Sequence, residues 1–404
     1  MLTLEEALSR LLAAVRPLPS TEALTVATFN ALGRVLAHDV CSALDVPPAD
    51  NTSMDGYALR CVDVPVPGTR LPVSQRIAAG VVGSALRAGT AARIFTGAQV
   101  PDGADAVVMQ EQCEAQGDGV VVNVVPIAGQ WVRRRGEDVK QGDTVLAAGI
   151  PLTPQALGLA ATVGSATLSV MRRPRVALFS TGDELVMPGE PLKPGAIYNS
   201  NRYTLRALIH AMGCDCTDLG IVPDRLDATR DALRRAAQGH DLIVTSGGVS
   251  VGEEDHLRPA VRAEGRIVLW QIAIKPGKPL AFGEVNRADG SSAFIIGLPG
   301  NPVSSFITFQ LLVRPVLRRL LGGADSAMPA AAMRADFDWA RPDQRREFLR
   351  ARRNAGGGLD LFPNQSSGVL TSAVWADGVV DNPPGQAIRS GDMVRFISFA
   401  ELQS

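Results

Sequence analysis

The sequence is poor in aromatics, at 5% of 404 residues, which disfavours a surface that stacks nucleic-acid bases. It has no excess charge: 40 Lys and Arg against 41 Asp and Glu leave a formal −1, so nothing in the bulk balance suits a phosphate backbone. Cysteine is scarce and scattered. Cys41, Cys61, Cys113, Cys214 and Cys216 contain no CxxC pair, and an odd count argues against a disulfide framework. Cys214-x-Cys216 is too tight for the usual zinc spacing. Reduced, mostly structural thiols in a cytoplasmic protein are the expectation. No apolar run reaches the roughly 20 residues that span a bilayer, and the opening MLTLEEALSR carries acids where a secretion signal is basic. There is no GxxxxGK[ST] and no well-placed GxGxxG, which excludes a P-loop NTPase and a dinucleotide fingerprint. No Ser–His–Asp or Cys–His arrangement stands out among only four histidines. What is abundant is glycine, 40, and proline, 27, in a chain that is 46% hydrophobic: globular, rich in turns and long enough for two to four domains.

Periodicity divides the chain. Residues 3–16 read as an amphipathic helix, with Thr3 and Glu6 as a capping box and Leu4, Leu8, Leu11, Leu12 and Val15 on one face. Residues 28–37 repeat the helical period through Phe29, Leu32, Val35 and Leu36. From about 59 to 145 valine, glycine and proline dominate, and runs at 106–109, 120–125 and 144–147 read as strands. A helical pattern returns at 151–167. These features predict a helical N-terminal domain of 1–50 plus 146–174, with a β domain of 51–145 inserted in it. Strands expected at 176–180, 216–222, 242–246, 267–272 and 294–298 alternate with helices at 201–212, 225–238, 255–264 and 303–320. Such alternation predicts a doubly wound, mostly parallel α/β domain over 175–328. Short strands and turns over 329–404 predict a small C-terminal β domain. The fold class is multi-domain α/β plus β.

In a doubly wound sheet ligands sit beyond the carboxyl ends of the strands. All five expected strands run into loops rich in Gly, acids, Lys or Ser. The first leads into Thr181, Gly182 and Glu184, and the second into Asp224. The third leads into TSGGVSVGEEDH at 245–256, where Ser246, Gly247, Gly248, Ser250 and Gly252 can turn amides toward an anion and Asp255 ends an acidic run. The fourth leads into Lys275 and Lys278, flanked by prolines, and the fifth into Pro299, Gly300, Asn301 and Ser304. Each loop alone is an ordinary polar surface turn; five at one edge are not. Glu184, Asp224 and Asp255 on neighbouring loops are best relieved by a divalent cation, Mg²⁺ if phosphates complete its shell. The lysines suit an oxyanion, and Pro302 in a first helical turn leaves amides free near 301–304. His256 reads as a helix-start residue. Three further stretches are too polar for linkers: DNTSMDGY at 50–57, RRRGED at 133–138 and QRREFLRARR at 344–353.

Together these stretches resemble the molybdopterin molybdenumtransferase family, which includes bacterial MoeA and the E domains of plant and gephyrin homologues. The matching motifs, in family order, are DNTSMDGYA, FTGAQVPDGADAVV, RRRGEDV, STGDEL, IYNSN, TSGGVSVGEEDH, IKPGKPLAFG, LPGNPVSS and NQSSGVLTS. The resemblance implies a four-domain protein whose α/β domain is MogA-like. It implies Mg²⁺-dependent insertion of molybdate into the dithiolene of adenylylated molybdopterin, with hydrolysis releasing AMP. It implies a homodimer that works with a MogA-type molybdopterin adenylyltransferase and downstream molybdoenzymes, without nucleic acid or membrane. Residue by residue, Asp55, Asp138, Glu184, Asp224 and Asp255 match functional acids, and Lys275 and Lys278 match the KPGK lysines. Arg345 and Arg350 match more loosely, because QRREFLR only approximates the family pattern. Ser367 and Thr371 lie in the matching C-terminal loop, where Ser is common at the second position. A non-catalytic molybdopterin carrier is the alternative from another class, and the adenylylation step is a second enzymatic one. The full acidic set argues against the first, and the additional domains argue against the second.

Overall fold

A computed structural model describes residues 1–249, 256–323 and 328–403. The chain forms two compact units, one of Met1–Leu24, Gly33–Ala37 and Val170–Ser404 and the other of Thr25–Leu32 and His38–Ser169.

The smaller unit is built on a six-stranded sheet in the order Ala106–Met109, Gly56–Leu59, Ala91–Ile94, Thr69–Ile77, Gly119–Val122, Cys113–Gln116. Only the Thr69–Ile77/Ala91–Ile94 pair is parallel. Both faces are covered: Tyr57 and Leu59 enter one apolar cluster and Ala58 the other. That is why Gly56–Leu59 and Ala106–Met109 read as apolar runs without polar alternation. Helix Pro154–Thr162 also belongs to this unit, capped by Thr153 Oγ1, which accepts the Ala156 N–H at 3.2 Å.

The expected helix at 28–37 does not form. A single 3₁₀ turn covers Thr28–Asn30, and Gly33 has φ +72°, which no helix accommodates. The apolar spacing that suggested a helix is shared between the units. Val35 and Leu36 are buried in the larger one, while Phe29 and Leu32 in the smaller one are 95% and 59% exposed.

In the larger unit the first helix, Leu4–Ala14, carries its full capping box: Thr3 Oγ1 accepts from Glu6 N at 3.2 Å, and Glu6 Oε2 accepts from Thr3 N at 2.9 Å. Leu4, Ala7, Leu11 and Val15 enter the same core as Leu317 and Leu320. This helix thus packs in the larger unit, whereas Pro154–Thr162 lies in the smaller. A joint helical domain of 1–50 plus 146–174 is not how the two pack.

The α/β sheet has six strands, in the order Asp215–Val222, Arg175–Thr181, Leu242–Ser246, Ser292–Leu298, Pro279–Asn286, Gly265–Gln271. Five run the same way, and they are the five expected from the sequence. The sixth, Pro279–Asn286, is antiparallel to both neighbours and was not expected, because PLAFGEVN follows directly on a proline-flanked lysine loop. It starts at the edge where the others end, so 276–279 still lie at the carboxyl edge. Helices Ser200–Ala211, Leu226–Ala237 and Leu257–Glu264 fall as expected. The long helix over 302–320 contains a π turn at Phe309–Val313, just ahead of Pro315, which gives no N–H to the ladder.

A second sheet, Ile274–Lys275, Arg346–Arg353, Gly378–Asn382, Met393–Ser398, Ala331–Arg334, forms the C-terminal part. Its first strand is the start of the lysine loop, paired in parallel with Arg346–Arg353.

Candidate functional site

At the carboxyl edge of the α/β sheet two glycines let two strand ends touch. Gly247 and Gly248 have φ of +90° and +64°, and a Cβ on Gly247 would sit 2.4 Å from the Thr181 carbonyl oxygen of the next strand. Beneath them Ser180 Oγ and Ser246 Oγ lie 3.1 Å apart. Around this floor is a cleft of about 700 Å³. Thr181, Gly182, Glu184, Asp224, Ser246, Gly247, Gly248, Pro299, Gly300, Asn301 and Ser304 all line it. The edge loops therefore do converge. Ser250, Gly252 and Asp255 lie outside the described residues.

The cleft is polar in a specific way. Thr181 Oγ1 and Asn199 Nδ2 are buried within it without a hydrogen-bond partner among the described residues, and such groups carry an unmet desolvation cost. Asp224 has its carboxyl held above the usual range, first by burial and then by the charges of Asp183 and Glu184. Its backbone N–H donates to Asp183 Oδ1 at 3.1 Å. Among the described residues no three His, Cys, Asp or Glu side chains gather closely enough to hold a metal. Glu184 and Asp224 are the two expected ligands that share this cleft.

The C-terminal part contributes one loop. Asn301 Nδ2 donates to Ser367 Oγ at 2.9 Å, and Val303 N donates to the Ser367 carbonyl at 3.0 Å. One of the helix-start amides expected to be free near 301–304 is thus already satisfied. Gly368 of the same loop lines the cleft. Just before it, Gln365 and Ser366 line a second cavity of about 290 Å³, together with Lys275, Pro276, Trp339, Glu347, Leu349 and Arg350.

The expected basic residues differ sharply, and of them Lys275 and Arg350 line this second cavity. Arg345 is engaged by Asp343 through Nε and Nη2, at 3.0 and 2.9 Å. Lys275 Nζ lies 3.1 Å from Glu347 Oε1 and 3.4 Å from Asp343 Oδ2. Arg350 is 1% exposed and, among the described residues, meets no carboxylate. It donates from Nε to Ser372 Oγ at 3.1 Å, from Nη1 to the Phe348 carbonyl at 3.2 Å and from Nη2 to the Ser366 carbonyl at 3.3 Å. Burial holds its guanidinium down at about 10. Thr371 is exposed, and the neighbouring Ser372, buried, makes the contact to Arg350. Lys278 is exposed beside Pro279, which lines the first cleft.

The two remaining acids belong to the smaller unit. Asp55 Oδ1 accepts from both the N and Oγ1 of Thr96, at 2.7 Å each, and this holds its carboxyl below the ordinary value. Asp138 is exposed, and its N–H donates to the Val46 carbonyl. In the arginine run before it, Arg134 pairs with Asp50 at 2.7 Å and Arg135 with Asp45 at 2.5 Å.

Against this geometry the similarities are consistent along the chain. Residues 2–164 match the family model "MoeA N-terminal region (domain I and II)", 177–319 match "Probable molybdopterin binding domain" and 332–399 match "MoeA C-terminal region (domain IV)". The molybdopterin molybdenumtransferase of Haemophilus influenzae is 42% identical over 324 residues, 80% of this chain and 78% of that one. The chain belongs to the MoeA family of molybdopterin molybdenumtransferases. Molybdopterin molybdenumtransferase 2 of Mycobacterium tuberculosis is 36% identical over 94% of both chains. A crystal structure of the MoeA molybdopterin biosynthesis protein of Pyrococcus horikoshii OT3 superposes with TM-score 0.86 over 98% of this chain and 100% of that one, at 27% identity.

Several residues of this MoeA-family site were not singled out from sequence. Asn199 and Asn201 lie in IYNSN; Asn199 caps the helix that follows, and Asn201 Nδ2 donates to the Gly300 carbonyl at 2.7 Å. An asparagine directly before a helical period is a cap signal, and it could have marked this cleft wall. Trp339, Glu347, Ser366 and Ser372 carried no comparable signal, since their importance lies in contacts between distant segments.

Proposed function

We propose that this MoeA-family chain takes part in molybdenum cofactor biosynthesis by inserting molybdate into the dithiolene of adenylylated molybdopterin and hydrolysing the adenylate to release AMP. The observation that carries this is the loop at 365–368, which lines both compartments. The larger, polar compartment suits the phosphate-bearing pterin nucleotide. The smaller, with a buried guanidinium that meets no carboxylate among the described residues, suits a tetrahedral oxyanion. A loop forming the wall of both would bring oxyanion and dithiolene together.

In this reading Arg350 and Lys275 hold molybdate, with Ser366, Ser367 and the helix-start region at Ser304 beside it. Arg345, paired with Asp343, supports the wall, and Lys278 faces the larger compartment from its rim. Thr181, Gly182, Ser246, Gly247, Gly248, Pro299, Gly300 and Asn301 surround the substrate, with Thr181 Oγ1 and Asn199 Nδ2 as waiting partners. Glu184 and Asp224 would hold Mg²⁺ with Asp255, because Asp224, raised by burial and by the charges of Asp183 and Glu184, is what a cation relieves. When bound there, Mg²⁺ supplies charge neutralisation to a phosphoanhydride. The chain's own part is to orient the anhydride and exclude competing water; no protein nucleophile is required. Asp55 and Asp138 are assigned to the same reaction on family resemblance, and Thr371 to the rim of the C-terminal loop.

A cytoplasmic homodimer supplied by a MogA-type adenylyltransferase is part of the proposal. Its support is the family resemblance; among the described residues no helix is long and apolar enough to cross a membrane. The test is to incubate the purified protein with adenylylated molybdopterin, molybdate and Mg²⁺ and to measure AMP. Wild type should release AMP in a Mg²⁺-dependent way, and Asp255→Asn should lose turnover more than binding. Tight ligand binding with no AMP would favour a carrier instead.

A further inference from the structure

The small cavity contains an acid that an anion site should avoid. Glu347 is 0% exposed and lines the same cavity as Arg350 and Lys275. Each of its oxygens has one partner: Oε1 accepts from Lys275 Nζ at 3.1 Å, and Oε2 accepts from Trp339 Nε1 at 2.8 Å. Both partners are donors only. A carboxylate satisfies both, whereas a carboxamide presents N–H to one of them whichever way it turns. A buried carboxylate costs several kcal/mol unless it is fully bonded, and this one is bonded on both sides to groups of the cavity wall.

We propose that Glu347 is a positioning residue of the oxyanion compartment. It fixes the Lys275 ammonium in the cavity wall, with Trp339 fixing Glu347 in turn, so that Lys275 meets an incoming oxyanion in one orientation. The inference rests on the reading that molybdate binds at Lys275 and Arg350. Lys275 has a four-carbon stem with large rotamer freedom, and nothing in its own segment confines the head group. Asp343 at 3.4 Å is a second anchor, but it is already engaged by both Nε and Nη2 of Arg345. Glu347 is the nearer anchor, with Oε1 given to Lys275 and Oε2 held by Trp339.

The sign of the effect separates this role from plain electrostatics. Removing a negative charge beside an anion site should tighten anion binding if charge alone matters. Losing the fixed lysine should weaken it. The experiment is a double-mutant cycle on the full chain, with molybdate as the probe and affinity read by titration calorimetry. Glu347→Gln should weaken molybdate at least tenfold in the wild-type background and less than twofold in a Lys275→Ala background. Trp339→Phe keeps the ring and loses only the N–H. It should weaken molybdate about threefold, again only when Lys275 is present, and it carries the test if Glu347→Gln does not fold. Tightening on Glu347→Gln, or equal losses with and without Lys275, would overturn the inference. If Lys275→Ala and Arg350→Met both leave molybdate binding unchanged, the oxyanion reading fails first and the positioning role falls with it.

Discussion

Arg350→Met is the most exacting test of the oxyanion compartment. The guanidinium is 1% exposed and is held down at about 10 against an ordinary 12.5, which corresponds to about 3 kcal/mol of disfavoured charge. Because the folded value is depressed, that cost is present in full at neutral pH and is lost only above about 10, where the folded protein sheds the proton. Against it stand three hydrogen bonds, to Ser372 Oγ and to the carbonyls of Phe348 and Ser366, each of order 1 kcal/mol net. The two sides nearly cancel. Methionine fills much of the same volume without charge, so the ligand-free protein should change in stability by no more than about 2 kcal/mol. Molybdate affinity should behave differently. Removing one member of a buried, hydrogen-bonded charge pair costs about 2–5 kcal/mol, roughly 30-fold to several-thousand-fold in Kd. The assay is urea unfolding with and without molybdate, alongside calorimetric titration. In wild type, molybdate at a hundred times Kd should add about 2.7 kcal/mol to stability, and in Arg350→Met this gain should vanish. A variant destabilised by more than 4 kcal/mol that still binds molybdate within threefold of wild type would refute the argument. Arg350 would then be an internal strut tying the strand to the loop.

The glycines make a contrasting pair. Gly247→Ala places a methyl 2.4 Å from the Thr181 carbonyl at φ +90° and should cost about 3 kcal/mol by urea unfolding, whereas Gly300→Ala meets nothing closer than 3.9 Å and should leave stability within about 0.5 kcal/mol while weakening the nucleotide ligand, because its methyl enters the cleft. Equal stability losses in the two variants would contradict the packing described for the strand ends. Asp224 sits above its ordinary value, so the ligand-free protein should gain stability as pH falls through that raised value. Mg²⁺ should remove this gain, and Asp224→Asn should abolish both the pH effect and the Mg²⁺ effect in unfolding followed from pH 4 to 7 (about the range of a perturbed carboxyl). A wild-type profile unmoved by Mg²⁺ would argue against a cation there. In the first helix of the larger unit, Thr3→Ala should cost about 1 kcal/mol through the lost cap, measured as a lower urea midpoint with unchanged slope.

Much of the α/β part was legible because its signals are local. Five apolar runs of strand length, four of them followed by a helical period, left few other arrangements for the sheet, and their carboxyl ends drew the cleft loops together as a doubly wound fold requires. The antiparallel strand at Pro279–Asn286 was hidden because its start doubles as the end of a functional loop. The false helix at 28–37 fails for a related reason. Its period is real in sequence, yet Phe29 and Leu32 belong to one compact unit and Val35 and Leu36 to the other, so no single face ever forms.

The residues that bear charge were legible, but their partners were not, and in this site the partner decides the role. Arg345 and Arg350 looked equivalent in QRREFLR. Asp343, two positions before Arg345, neutralises it locally, and such a pairing can be suspected from spacing alone. Arg350 is set apart only by long-range packing, which surrounds it with carbonyls and the Ser372 hydroxyl. The same holds for Lys275, whose anchor Glu347 is 72 positions away, and for Asn201, which ties a helix start to Gly300 across 99 positions. A site assembled in this way from distant segments has a functional consequence. The cavity proposed for the oxyanion exists only when the lysine loop, the Arg346–Arg353 strand and the loop at 365–368 are docked together. A mutation at any of these contacts should therefore act first on oxyanion affinity, with the nucleotide cleft at the edge of the α/β sheet affected less.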